Sequence, residues 1–277
     1  MKLIIDSGAT KANWTLADQY IVQYQAYTQG IHPLLMSDDA MRTIAEEAQK
    51  KGIRAPTSIF YYGTGCKVES SQIRIKKILQ QVFPQAADIE VATDLLGAAR
   101  ALCQHSPGIA CILGTGSNSC YYDGKNIVQN KGGFGFILGD EGSGAALGKD
   151  LMAAYLNEEL PAAIRTALEK AYSLSPEALI EATYRQPAPS RYLAKYATFM
   201  LQNQADTLIR QIIQQQFELF IRKYILAYPQ AKSLPIHFIG SIAWHFRPFI
   251  EAILKKTALR AGNFLNEPME GLLAYHQ

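Results

Sequence analysis

Charge is scarce in this 277-residue chain. Asp, Glu, Lys and Arg make up 18% of it, and 27 basic residues against 24 acidic ones leave a formal net charge of +3. A balance this mild, in a chain that is 48% hydrophobic, excludes disorder and a nucleic-acid binder working by bulk charge. Cysteine is sparse as well. The four thiols, Cys66, Cys103, Cys111 and Cys120, form no Cys-x-x-Cys pair, and only five histidines accompany them, which argues against a disulfide scaffold or a structural zinc site. Buried thiols packing as small hydrophobes are the simpler reading. No apolar run approaches the ~18 residues of a membrane span. The start, MKLIIDSGAT, reaches Asp6 too soon for a signal-peptide apolar region, so a cytoplasmic protein without membrane or nucleic-acid partners is expected. Neither G-x-x-x-x-G-K-[ST] nor G-x-G-x-x-G occurs, nor does His-Glu-x-x-His; P-loop, dinucleotide and zincin readings are set aside.

The length allows one large domain or two ordinary ones. Apolar alternation predicts strands over Lys2–Asp6, Ala12–Ala17 and Tyr20–Thr28, an antiparallel meander. Ser37 then caps a helix that buries Met41, Ile44, Ala45 and Ala48. Strands at Ser58–Tyr62 and Ile89–Ala92 flank a second helix. At Ile109 the pattern restarts with strand, small-residue turn, strand and polar turn, so LIIDSGATKANWTLAD and CILGTGSNSCYYDG read as an internal duplication. From Asp150 to about Lys232 helical patterns take over; the stretch Arg191–Tyr228 is one helix or two. A strand (Ile236–Ile239), a helix (Arg247–Leu259) and a terminal helix from about Pro268 follow. The expected fold is α/β with two lobes, 1–107 and 108–265, each a mixed sheet flanked by helices. The second lobe carries a helical insertion over about 150–232, and a C-terminal helix over about 266–277 packs back on the first.

Two turns between antiparallel strands open the lobes: Asp6-Ser-Gly8-Ala-Thr10-Lys11 and Gly114-Thr115-Gly116-Ser117-Asn118. Each is either an ordinary hairpin or a phosphate cradle of amides and hydroxyls, and two such turns facing each other could clamp a polyphosphate. Asp6, at the tip of an apolar strand, fits a magnesium ion that stays largely hydrated. Asp94 opens a helix after Thr93; it is a helix cap or the acceptor of a hydroxyl proton. Six glycines and two acids crowd Gly132–Gly144, a density that suits a loop shaped around a ligand. There Asp140 or Glu141 could accept sugar hydroxyls, and Phe134 is a sugar platform or a core aromatic. Phe238-Ile-Gly240-Ser241-Ile-Ala243 is strand-to-helix punctuation or a slot for a flat base.

Taken in order, these segments resemble the motifs of the actin, sugar kinase and Hsp70 ATPase superfamily, within the group of BadF/BadG/BcrA/BcrD-type ATPases and N-acetylglucosamine kinases. Asp6–Lys11 resembles the first phosphate motif, Thr93-Asp94 the first connecting motif and Leu113–Ser117 the second phosphate motif. Ile239–Ala243 resembles the adenosine motif and Gly271–Tyr275 the second connecting helix. Gly139-Asp-Glu-Gly-Ser143 after Gly133-Phe-Gly points to the amino-sugar kinase branch. The resemblance implies two ribonuclease H-like lobes and an ATP- and magnesium-dependent kinase acting on an amino sugar, at the 6-hydroxyl of N-acetylglucosamine or a relative. It implies Asp94 as the base and Asp6 on magnesium through water. Gly8, Thr10, Lys11, Thr115, Gly116 and Ser117 fall on the phosphates, with Gly240 and Ser241 beside adenine. His32, Thr115, Gly133, Phe134 and Asp140 fall near the sugar. Three positions depart from the pattern: Phe134 stands where Trp is frequent, His32 where Asn is common, and Gly240-Ser241 where two glycines are usual. An activating ATPase with an iron-sulfur cluster at a dimer interface, or a sugar sensor without turnover, are the alternatives. The helices of 150–232 could pair two subunits as a homodimer or cover the sheet.

Overall fold

The computed structural model describes residues 1–277 apart from Ala9, Tyr20 and Gln186. Ala9, inside the first expected phosphate turn, and Tyr20, the expected start of the third strand, therefore lie outside the described residues. The chain divides into two compact units. One comprises Met1–Ser106, Asp123–Ile127 and Glu267–Gln277, the other Pro107–Tyr122 and Val128–Asn266.

In the first unit, β1 (Lys2–Ser7), β2 (Lys11–Asp18) and β3 (Ile21–Gln29) form the antiparallel meander that their alternation predicts. Ser37 accepts the Ala40 N–H and starts α1 (Asp38–Lys50), whose buried stripe is Met41, Ile44, Ala45 and Ala48. Strand β4 (Ser58–Gly63) runs parallel to β1, α2 (Glu69–Val82) crosses over, and β5 (Asp88–Thr93) runs parallel to β4 before α3 (Asp94–Cys103). The sheet order is β3-β2-β1-β4-β5. Its two central parallel strands end at Ser7 and Gly63, so the loops beyond them, and α3 after β5, share one end of the sheet.

The second unit repeats the scheme with β6 (Gly108–Leu113), β7 (Ser117–Tyr122) and β8 (Ile127–Gly132). The one-turn helix α4 (Gly135–Leu138) and α5 (Gly144–Leu156) follow, then α6 (Ala162–Tyr172), α7 (Pro176–Tyr184), α8 (Pro189–Ala194), α9 (Ala197–Gln202) and α10 (Thr207–Phe220). A π turn, Ile221–Ile225, continues α10. Strand β9 (Ile236–Ile239), α11 (Ser241–His245), α12 (Arg247–Lys256) and β10 (Ala261–Leu265) complete a sheet ordered β8-β7-β6-β9-β10. Here β6 is antiparallel to β7 and parallel to β9, as β1 is to β2 and β4. Strand for strand the order matches the first sheet, so the duplication read from the turns is a duplication of topology.

Three local expectations change. The helical region begins at Gly144, six residues before Asp150, because Ser143 caps α5 by accepting the Ala146 N–H. The stretch Arg191–Tyr228 holds the end of α8, all of α9 and α10, and the π turn; Asp206, accepting the N–H groups of Leu208 and Ile209, starts α10 afresh. Strand β10 was not expected, since Gly262 and Asn263 are poor strand formers and the register slips between Ala261 and Phe264. Leu193, Met200, Ile213 and Phe217 of the inserted helices share one core with Ile109 of β6 and Phe238 of β9, so these helices cover the sheet.

The final helix, α13 (Met269–Tyr275), belongs to the first unit and packs on α3. Gln104 Nε2 donates to the Gly271 carbonyl at 3.0 Å, the Tyr62 hydroxyl meets His276 Nε2 at 2.6 Å, and the His276 ring stacks on Phe60 at 3.8 Å. Arg100 bonds the same Tyr62 hydroxyl at 2.7 Å and pairs with Glu90. All four thiols are buried and none is in a disulfide among the described residues; burial pushes Cys66 and Cys103 up to about 12. Among the described residues no helix is long and apolar enough to cross a membrane.

Candidate active site

In the first unit the question raised by Thr93-Asp94 resolves by division of labour. Thr93 is the cap, its hydroxyl accepting the Leu96 N–H at 3.1 Å. Asp94 is the first helical residue, and its half-buried carboxylate accepts the Leu95 N–H at 2.8 Å and the Thr64 hydroxyl. Burial holds the Asp94 carboxyl above the usual carboxylate range, against those bonds and the nearby His32 imidazole. A carboxylate kept basic and oriented from two sides, beside a cap that Thr93 supplies, suits proton acceptance.

Asp6 lies on β1 in register with Asn13 and Tyr62. Burial, then the charges of Asp94 and Glu267, push its carboxyl up to about 7, with Lys11 opposing. Among the described residues no hydrogen bond or ion pair engages this carboxylate. His32 packs against the turn after β4, where a Cβ on Gly65 would stand 3.1 Å from its ring, and its Nδ1 is buried without a partner among the described residues. Asp6, His32 and Asp94 are thus brought together electrostatically. The hairpin ahead of β2 is closed by Gly8 N–H donating to the Lys11 carbonyl at 3.1 Å; Thr10 is exposed, and the Lys11 ammonium lies 4.1 Å from the centre of the Tyr27 ring.

The second unit gathers Thr115, Gly116, Ser117, Gly133 and Asp140. The Gly133 N–H donates to the Ser117 carbonyl at 3.2 Å, and Ala145 N–H to that of Thr115 at 3.1 Å. The Asp140 carboxylate accepts the N–H groups of Ser117 and Gly135, and burial raises its carboxyl above the ordinary range. It sits so close to the turn that a Cβ on Gly116 would be 2.7 Å from its Oδ2. Ser117 Oγ is buried with no partner among the described residues. Phe134 is 63% exposed, which removes the core-aromatic reading. At the end of β9, Gly240 holds φ +111° with the Leu113 carbonyl only 2.4 Å from where a Cβ would stand, a conformation and an approach that require glycine. Ser241 follows, exposed, at the start of α11.

A solved Porphyromonas gingivalis protein assigned as an N-acetylglucosamine kinase is 39% identical to this chain, with a TM-score of 0.96 over 100% of this chain and 98% of that one. The chain belongs to the N-acetylglucosamine kinase-like branch of the actin-like ATPase superfamily. Another solved protein assigned to the same activity, from Chromobacterium violaceum, shares 18% identity at a TM-score of 0.74, covering 100% of this chain and 98% of its own. A Streptomyces griseus glucokinase solved with glucose and AMPPNP shares 12% at 0.57, covering 99% and 97%, and shows the fold alone. No protein-family model matches the chain, and no curated protein matches it significantly.

Within this branch member, sequence reasoning missed four residues beside the candidate site. Thr64 orients Asp94 from a turn noted only as Gly-Thr-Gly. Trp244, 45% exposed, stands one helical turn beyond Gly240. Lys223 and Tyr224 both bond Glu141, which removes it as a free acceptor beside Asp140. The Gly-Asp-Glu motif signals the acids but nothing about which partners they have.

Proposed function

We propose that the protein transfers the γ-phosphoryl group of ATP to a hydroxyl of an amino sugar, the 6-hydroxyl of N-acetylglucosamine or a close relative. The observation that carries this reading is Asp94, a half-buried carboxylate of raised basicity held by Thr64 and the Leu95 N–H, with Thr93 rather than Asp94 as the N-cap of α3. Its oxygen orients the acceptor hydroxyl and takes the proton late, since phosphoryl transfer passes through a loose transition state in which positioning and charge stabilisation do most of the work. His32, Gly133, Phe134 and Asp140 are assigned to the sugar; Phe134 offers an exposed face and Asp140 a fixed, buried acceptor. Gly8, Thr10, Lys11 and Thr115–Ser117 are assigned to phosphate oxygens, and the unpartnered Ser117 hydroxyl is a donor still to be used. Gly240 and Ser241 are assigned to adenine.

The residues present fit a magnesium ion. Asp6 is an unengaged carboxylate crowded by two others, a group that a cation relieves. Among the described residues no set of three His, Cys, Asp or Glu side chains could hold a metal, so Asp6 would be its protein anchor, with water and phosphate oxygens completing the shell. When bound, magnesium supplies charge neutralisation to the phosphates. A cytoplasmic location, where ATP is supplied, belongs to the same proposal.

The test is ADP release with ATP and magnesium over N-acetylglucosamine, N-acetylmuramic acid, glucosamine, N-acetylmannosamine and glucose. Acceleration by N-acetylglucosamine or a near relative is expected. A rate that no sugar raises would overturn the reading.

A further inference from the structure

The acid beside Asp140 has a different fate. Glu141 is held by the Lys223 ammonium and the Tyr224 hydroxyl, and these bonds pull its carboxyl below the ordinary range despite burial. The same Tyr224 oxygen accepts the backbone N–H of Asp140. One residue further on, the Gly142 N–H donates to Gln216 Oε1 at 3.0 Å, and Gln216 Nε2 in turn bonds Asp150 at 2.5 Å. Three successive residues of the loop are therefore tied to α10 and its continuation.

That continuation is irregular. Leu226 N–H bonds the Ile221 carbonyl at 2.9 Å, the i→i+5 pattern of a single π turn, a form met most often at functional sites. Tyr224 lies inside it, buried against Phe220 with ring centres 5.5 Å apart, while its neighbour Lys223 stays half exposed, yet both reach one carboxylate. Asp140 itself holds φ +61°, a region that a non-glycine residue keeps only where its surroundings over-determine it. Gly139 permits the approach: a Cβ there would lie 3.0 Å from the Tyr224 hydroxyl.

We propose that Tyr224 and Lys223, presented by the π turn, are positioning residues that clamp Glu141 and the Asp140 backbone, and so hold the Asp140 side chain where the acceptor sugar binds. The clamp is independent of the chemistry at Asp94; its link to a sugar rests on the kinase reading above.

Tyr224→Phe keeps the ring packed and deletes both bonds of its oxygen. The acceptor KM should rise about tenfold or more, the loss expected for a charge-assisted hydrogen bond, while the KM for ATP stays within twofold. Lys223→Arg should retain most of the acceptor affinity that Lys223→Met loses, and the losses of Tyr224→Phe and Glu141→Gln should be less than additive in a double-mutant cycle. Unchanged acceptor KM in Tyr224→Phe overturns the proposal, as does a fall in Tm with equal losses toward sugar and ATP. Hydrogen exchange supplies a readout that needs no turnover: the amides of Gly139–Ser143 should exchange faster in Tyr224→Phe while those of α10 keep their protection. Equal exchange in variant and parent overturns the clamp even if the parent phosphorylates no sugar, an outcome that would by itself count only against the kinase reading.

Discussion

Replacing Asp6 by Asn isolates the cost of an unpaired carboxylate in the first unit. Burial and the neighbouring charges of Asp94 and Glu267 push this carboxyl from an ordinary 3.8 up to about 7. Because the folded value lies above the unfolded one, the stabilisation linked to this group is complete below about pH 4 and is lost as the pH rises through about 7. At about 1.4 kcal/mol per pH unit across that interval, the charged form costs the metal-free fold about 4 kcal/mol as an upper bound. A chain of this size gains about 2 to 4 °C per kcal/mol, and solvent access to a half-buried group reduces the full effect. Asp6→Asn should therefore melt about 5 to 10 °C above the parent at pH 8 in EDTA, with the difference closing towards pH 4. Added magnesium should raise the parent's Tm at pH 8 and leave the variant's unchanged. Differential scanning calorimetry over pH 4 to 8 gives both comparisons. A difference in Tm that stays constant across this range would show that Asp6 carries no buried charge, and would remove the reason for placing a cation beside it.

Further outcomes follow from the same geometry. Asp94→Ala should lower turnover by about 10² or more with the KM for ATP within twofold, read by coupled ADP release; near-normal sugar phosphorylation would reassign the base. Trp14 is fully buried and donates to Thr28 at 2.8 Å, whereas Trp244 is exposed beside Gly240. ATP should thus change tryptophan emission in the parent and in Trp14→Phe but not in Trp244→Phe, and a signal that survives the last substitution would take the base away from Gly240 and Ser241. His276→Ala loses the bond to Tyr62 and the stack on Phe60, which should cost about 2 to 3 kcal/mol in urea unfolding. A loss under about 0.5 kcal/mol would mean that α13 is anchored elsewhere. Burial, helped by Arg100 and Lys2, holds the His276 imidazole down at about 3, so its contribution should be present above the ordinary 6.5 and fall away as the pH drops towards 3.

Both meanders, the capped α1 and the repeated order of strands were legible because each rests on local pattern: alternation, a Ser before an apolar stripe, small residues at turns. The acids of the candidate site were singled out for a related reason, since a carboxylate at a strand tip or among glycines has few structural uses. Their environments were not. Thr93 and Asp94 are equally good caps on paper, and only the fold shows the hydroxyl taking that duty. Asp140 and Glu141 are adjacent and chemically alike; what separates them is Tyr224 and Lys223, about eighty residues further along the chain. The π turn that presents this pair leaves no sequence mark, because an i→i+5 bond replaces an i→i+4 bond without any change in composition. Strand β10 escaped because pairing with β9 overrides the weak strand preference of Gly262 and Asn263.

The return of α13 to the first unit bears on the order of assembly during synthesis. Residues 1–106 emerge from the ribosome well before His276, yet Tyr62, Phe60, Arg100 and Gln104 find their partners in residues 271–276. The first unit made is thus the last to be finished. While Pro107–Asn266 is still being synthesised, the face of α3 that receives α13 is open to water and to other chains. A delay or truncation near residue 267 would thus expose apolar surface two hundred residues upstream, leaving the second sheet intact and the first one prone to aggregate.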